Sequence, residues 1–89
     1  MSASHLVVVP PRDRESASDK IKRLQAEARG LAREHVEALN AALASVVQLA
    51  AEVAEGGELY PIGAREIARR LSEDVSKQAL TLTAILERT

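Results

Sequence analysis

Cysteine, phenylalanine and tryptophan are absent from this sequence of 89 residues, and Tyr60 is its one aromatic residue. Without cysteine there is neither a disulfide framework nor a thiolate metal site, and the chain suits a reducing compartment, so a cytoplasmic location is expected. Without large aromatic side chains it lacks the usual means of stacking bases, walling a ligand pocket or anchoring an interface hot spot. Proline is equally sparse: none stands between Pro11 and Pro61. That leaves almost fifty residues free of the strongest helix breaker.

Charge of one sign is also lacking. Lysine and arginine number 12 against 13 acidic residues, a net charge of −1, so no global field draws the chain to nucleic acid or an anionic membrane. The apolar run Leu6, Val7, Val8, Val9 is too short for a secretory segment and is followed by two prolines. Val36 to Ala54 is apolar but is interrupted by Glu37, Asn40, Gln48 and Glu52, and buried carboxylates cost about 2.5–3.5 kcal/mol each in a bilayer. No membrane partner is expected.

What is present is alanine, leucine, valine and isoleucine at helical spacing. Residues 1–17 read as a flexible arm, because Pro10 and Pro11 block a helix and the following "RDRESAS" is small and charged. Within it, Leu6, Val7, Val8 and Val9 are candidates for partner binding as an added strand or a groove-filling segment. Residues 18–89 read as one helical domain. Its first helix is expected over about 19–55, capped by Ser18 or Asp19. Two apolar series run along it in steps of three and four: Ile21, Leu24, Ala28, Leu31, His35, Ala38, Ala42 and, after an interruption at Ser45, Leu49, and Ala32, Val36, Leu39, Leu43, Val46, Ala50 and Val53. Gly30 stands where the second series begins, marking either a kink or a close backbone approach.

A second helix is expected over about 64–88, with the series Ala64, Ala68, Leu71, Val75, Gln78, Leu82 and Ile85, widened by Ile67, Ala79 and Leu86. Gln78 sits at a seam position, as a bundle-edge residue or as a buried polar layer fixing register. At 1.5 Å per residue this helix matches the doubly seamed part of the first, and the connection between them is short, so the two form an antiparallel hairpin. Two helices cannot enclose a core. The second seam therefore predicts a partner, and a homodimeric four-helix bundle is the simplest closure. The packing set is Leu31, Val36, Leu39, Leu43, Val46, Leu49, Val53, Ile67, Leu71, Val75, Leu82 and Ile85.

The connection "EGGELYPIGARE" holds three of the four glycines and Tyr60. It reads as a helix stop at Gly56 or Gly57 followed by a proline break, with Leu59 and Ile62 folding over the open end of the core. Tyr60 is the residue there with a second reading, as a partner contact.

Chemistry is thin. No Glu precedes His35 or His5 by three residues, as bundle di-metal sites require, so no metal is expected. No nucleophile stands in a recognisable setting, no phosphate-binding glycine pattern occurs, and no cofactor, small-molecule substrate or enzymatic activity is expected. The start "HVE" at His35, in a four-helix dimer, resembles the phosphoacceptor domains of histidine kinases, which implies phosphotransfer through that histidine. The family's downstream proline is missing, and His35 falls on an apolar series as a partly buried residue.

"REIARRLSEDVSKQAL" resembles the opening of helix-turn-helix motifs, with Ser72 where glycine usually turns the chain and Gln78 where an aliphatic residue is usual. That resemblance implies nucleic-acid binding through Arg65, Arg69 and Arg70, joined by Lys20, Lys22, Arg23 and Arg29 of the first helix, through phosphate contacts. The reading favoured overall is a non-enzymatic homo-oligomer acting as a protein–protein interaction, scaffold or regulatory module.

Overall fold

The structure is a computed structural model and describes residues 15–88. Helix α1 spans Ala17–Ala54, a single 3-10 turn follows at Gly57–Leu59, and helix α2 spans Ile62–Arg88. No strand occurs among the described residues. The described part is all-helical, and its two long helices form a hairpin. The proposed strand at Leu6–Val9 lies outside the described residues.

Helix α1 begins earlier than the expected Ser18 or Asp19. Ser16 caps it: its Oγ accepts the Asp19 backbone N–H at 3.0 Å, and its carbonyl accepts the Lys20 N–H at 2.9 Å. The side chain thus satisfies one of the donors that every helix start leaves unpaired, and Asp19 places a carboxylate in the positive first turn. Both serines have good capping chemistry. The choice of Ser16 also lets Glu15 reach the Arg23 guanidinium, whose Nε donates at 2.9 Å.

The helix continues through Gly30 without interruption. A side chain added at Gly30 would meet nothing within 4 Å among the described residues, so no close backbone approach there requires glycine.

At the other end the two adjacent glycines have different jobs. Gly57 has φ +79°, the left-handed conformation that L-residues avoid. Gly56 is right-handed, at φ −74°; its lack of a side chain serves packing, because a Cβ there would lie 2.1 Å from the Tyr60 ring. Tyr60 is extended, at φ −101° and ψ 138°, as a residue before proline should be. The Pro61 carbonyl then accepts the Arg65 N–H at 3.0 Å, so α2 starts at Ile62, ahead of the expected start near Ala64. Leu59 and Ile62 do not cover the end of the core: they are 94% and 75% exposed. The 3-10 turn points Leu59 outward, and Ile62, as the first helical residue, projects away from α1.

Two compact units divide the chain between Ala32 and Arg33. In the first, every described residue from Glu15 to Ala32 is exposed. The second contains the hairpin. Its inner seam on α1 runs through Val36, Asn40, Leu43, Val47, Ala50 and Ala54, and on α2 through Ala68, Ser72, Val75, Ala79, Leu82 and Leu86, all buried or half-buried. Both series step by four and three, the spacing of an antiparallel helix pair. Ala50 and Ala68 are the only residues classed as buried among those described, and no larger side chain is fully enclosed.

Other bulky residues lie outside that seam. Leu39, Val46, Leu49, Ile67, Leu71 and Ile85 are all exposed. The packing set expected from the sequence thus divides, with Val36, Leu43, Val53, Val75 and Leu82 half-buried and the rest exposed. Small side chains at Ala50 and Ala68 let the backbones approach, and Leu49, Ile67 and Leu71 then project to one side.

An unpartnered apolar trough as the candidate functional site

The last turns of α1 and the first turns of α2 build an open trough of about 460 Å³. Val46, Leu49 and Val53 form one wall, Ala64, Ile67 and Leu71 the other, and Ala50 and Ala68 the floor. The geometry follows from helical spacing: residues three or four apart share a face, so 46, 49 and 53 align on α1 as 64, 67 and 71 do on α2. No lining residue carries a polar side chain. The site has no acid, base or nucleophile of its own and is equipped to exclude water from an apolar partner.

The opposite face carries a second groove of similar volume, lined by Asn40, Ala44, Val47, Ser76, Leu80 and Thr83 among others. It is mixed in character. Asn40 Nδ2 donates to Thr83 Oγ1 at 2.8 Å, and that hydroxyl donates to the Ala79 carbonyl at 3.0 Å. Asn40 Oδ1 is buried without a hydrogen-bond partner.

The remaining candidates are spread over the molecule. Val36, Leu43, Val75 and Leu82 are half-buried in the hairpin seam, Val53 lines the trough half-buried, and Leu31 is exposed in the first unit. His35 is exposed rather than partly buried, and so is Gln78. Tyr60 sits at the corner with its ring against Gly56. Among the described residues, no group of three His, Cys, Asp or Glu side chains is placed to hold a metal ion.

The basic candidates divide. Arg23 is held by Glu15 and Glu27. Arg69 is held by Glu66 and Glu73. The hydrogen bond that Arg23 donates to Glu15 raises its pKa, and the one that Arg69 donates to Glu66 raises that of Arg69. Arg65 Nε donates to the Tyr60 carbonyl at 3.1 Å, and Arg70 comes within 4.0 Å of Glu66. Lys20, Lys22 and Arg29 are exposed in the first unit.

Reading the sequence alone missed Asn40, Val47, Ser72 and Thr83 as seam or groove residues. The signal was there in the spacing 36, 40, 43, 47, 50, 54, but a polar residue within it reads as an interruption. Neither a family model, a curated protein nor a solved structure matches this chain.

Proposed function

We propose that this protein is a helical interaction module that homodimerises, two hairpins closing a four-helix bundle, and serves as a scaffold or regulatory element rather than an enzyme. The apolar trough carries this reading. A hairpin whose enclosed residues are two alanines gains little from burial, since each buried methylene is worth about 0.8 kcal/mol, whereas ordering one residue costs about 1–2 kcal/mol. Leu49, Ile67 and Leu71, which would stabilise it at about 1.5–3 kcal/mol each when fully buried, stand exposed on one face. A second copy presents the same face and the same need. Such a contact is isologous, and it closes.

The test is solution mass by sedimentation, on the intact chain and on Leu49→Glu and Ile67→Glu variants. A dimer that both variants dissociate supports the reading, with Leu80→Glu, on the opposite face, leaving it intact. A monomeric wild-type chain at tens of micromolar would remove it.

Exposed Lys20, Lys22 and Arg29 support a second reading, a nucleic-acid-associated regulator that grips phosphates without reading bases. A gel-shift titration at low salt decides it: no retardation means no such role. A third reading, phosphotransfer, is supported by the exposure of His35, and asks whether label from a phosphorylated receiver domain reaches the wild-type chain but not His35→Ala.

By length and apolar content alone, a stretch of α1 would be able to cross a membrane. Bundle helices satisfy the same criterion, and the interruptions at Glu37, Asn40, Gln48 and Glu52 favour the bundle.

A further inference from the structure

Trough-to-trough association of two hairpins can be built in two ways. Helix α1 of one copy lies beside either α1 or α2 of the other, and the charges flanking the trough distinguish them. Glu52 follows Leu49 by three residues, Arg70 follows Ile67, and Arg88 follows Ile85. At about 100° per residue, each charge stands roughly 60° farther round its helix than the apolar residue it follows, on the rim of the trough face. Glu34 precedes Glu52 by 18 residues, as Arg70 precedes Arg88. That is about five helical turns, so each pair shares one bearing and both pairs have the same span, roughly 27 Å.

Register within the hairpin is set by the bond between Asn40 and Thr83. Counting from it, Glu52 is level with residue 71 and Glu34 with residue 89, so the α1 rim carries acid at the two heights where the α2 rim carries base. These groups are not used up inside the hairpin. All four are exposed; Glu34, Glu52 and Arg88 have no ion pair among the described residues, and Arg70 has a single one, at 4.0 Å.

We infer, resting on the homodimer reading, that two copies pack trough to trough with α1 of each beside α2 of the other, so that Glu34 and Glu52 meet Arg70 and Arg88 of the second copy. A two-fold axis parallel to the helices builds this arrangement: with the two corners at the same end, Glu52 meets Arg70 and Glu34 meets Arg88. The alternative juxtaposes like charges. An α1 beside the second copy's α1 sets Glu34 and Glu52 against glutamates, and it leaves Arg70 and Arg88 facing arginines. Like charges across an interface select against the wrong partner surface.

Dimer affinity of the full chain, measured by sedimentation at low and high salt for three proteins, tests this. Glu34→Arg/Glu52→Arg should dimerise roughly tenfold or more weakly at low salt, because four favourable contacts in the dimer become repulsive. The loss should shrink at 0.5 M salt. Adding Arg70→Glu/Arg88→Glu to the same chain should restore affinity to within a few-fold of wild type, since every contact is again of opposite sign.

A double variant that dimerises as tightly as wild type overturns the arrangement, because exchanging glutamate pairs for arginine pairs would leave an α1-to-α1 contact unchanged. A fourfold variant weaker than the double variant overturns it as well. A monomeric wild type would remove the dimer reading itself, an outcome distinct from either of these.

Discussion

Asn40 donates to Thr83 across the hairpin at 2.8 Å, tying the middle of α1 to the last third of α2. The bond sits in a seam otherwise made of small and aliphatic side chains, and it leaves Asn40 Oδ1 buried and unpartnered. Such a pair specifies register more than it adds stability, because a shifted hairpin would bury the amide with no partner at all.

Thr83→Val should therefore cost about 1–3 kcal/mol, the penalty for leaving the buried Asn40 amide without an acceptor. The double change Asn40→Leu/Thr83→Val should recover most of that loss or exceed wild-type stability. Urea denaturation of the four proteins of the cycle gives the coupling; strictly additive losses would show that the bond does not set the pairing.

At the corner, Gly56→Ala and Tyr60→Ala should each cost about 0.5–1.5 kcal/mol, the range expected for one ring contact. The double variant should be no worse than either single one, since the new Cβ displaces the same ring that Tyr60→Ala removes. Thermal unfolding reads this. A double variant showing the full sum would mean that Gly56 is required for its backbone and not for the ring.

Gly57→Ala acts differently. Its φ of +79° puts the new side chain in the left-handed region, and a loss of about 1 kcal/mol is expected whether or not Tyr60 is present. Finding the Gly57 penalty only when Tyr60 is present would reverse the assignment of the two glycines.

Gly30→Ala should raise stability or helicity, by about 1 kcal/mol, because the helix is continuous there and a Cβ meets nothing. Circular dichroism against temperature checks it. Loss of helicity or of a bound partner would show that the backbone at Gly30 is approached closely in the assembled state.

Helical spacing on α2 predicts the pairs Glu66–Arg70, Arg69–Glu73, Arg70–Asp74 and Glu73–Lys77, and the structure contains the first two. Arg69 takes both Glu66 and Glu73, while the expected Arg70–Asp74 and Glu73–Lys77 pairs do not form among the described residues. One guanidinium with several donors can bridge carboxylates three positions before it and four after it, which leaves less for its neighbours. These contacts lie on an exposed face, and exposed pairs of this kind contribute little to stability.

By itself the sequence determined that the chain is two helices joined by a glycine and proline corner. A run without proline, apolar residues at steps of three and four, and capping residues at the ends are local properties, and local hydrogen bonding within a helix obeys them directly. It also showed that more apolar surface exists than two helices can bury.

Only the tertiary structure decided which apolar residues meet inside the hairpin. The sequence offers two overlapping series on α1 and one widened series on α2, and all satisfy the same periodicity. The pairing that forms puts Ala50, Ala68, Ser72 and Ala79 in the seam beside the Asn40–Thr83 pair, with Val36, Leu43, Val47, Val75, Leu82 and Leu86 filling the rest of it. That choice leaves Leu49, Ile67 and Leu71 on the outside as the walls of a trough.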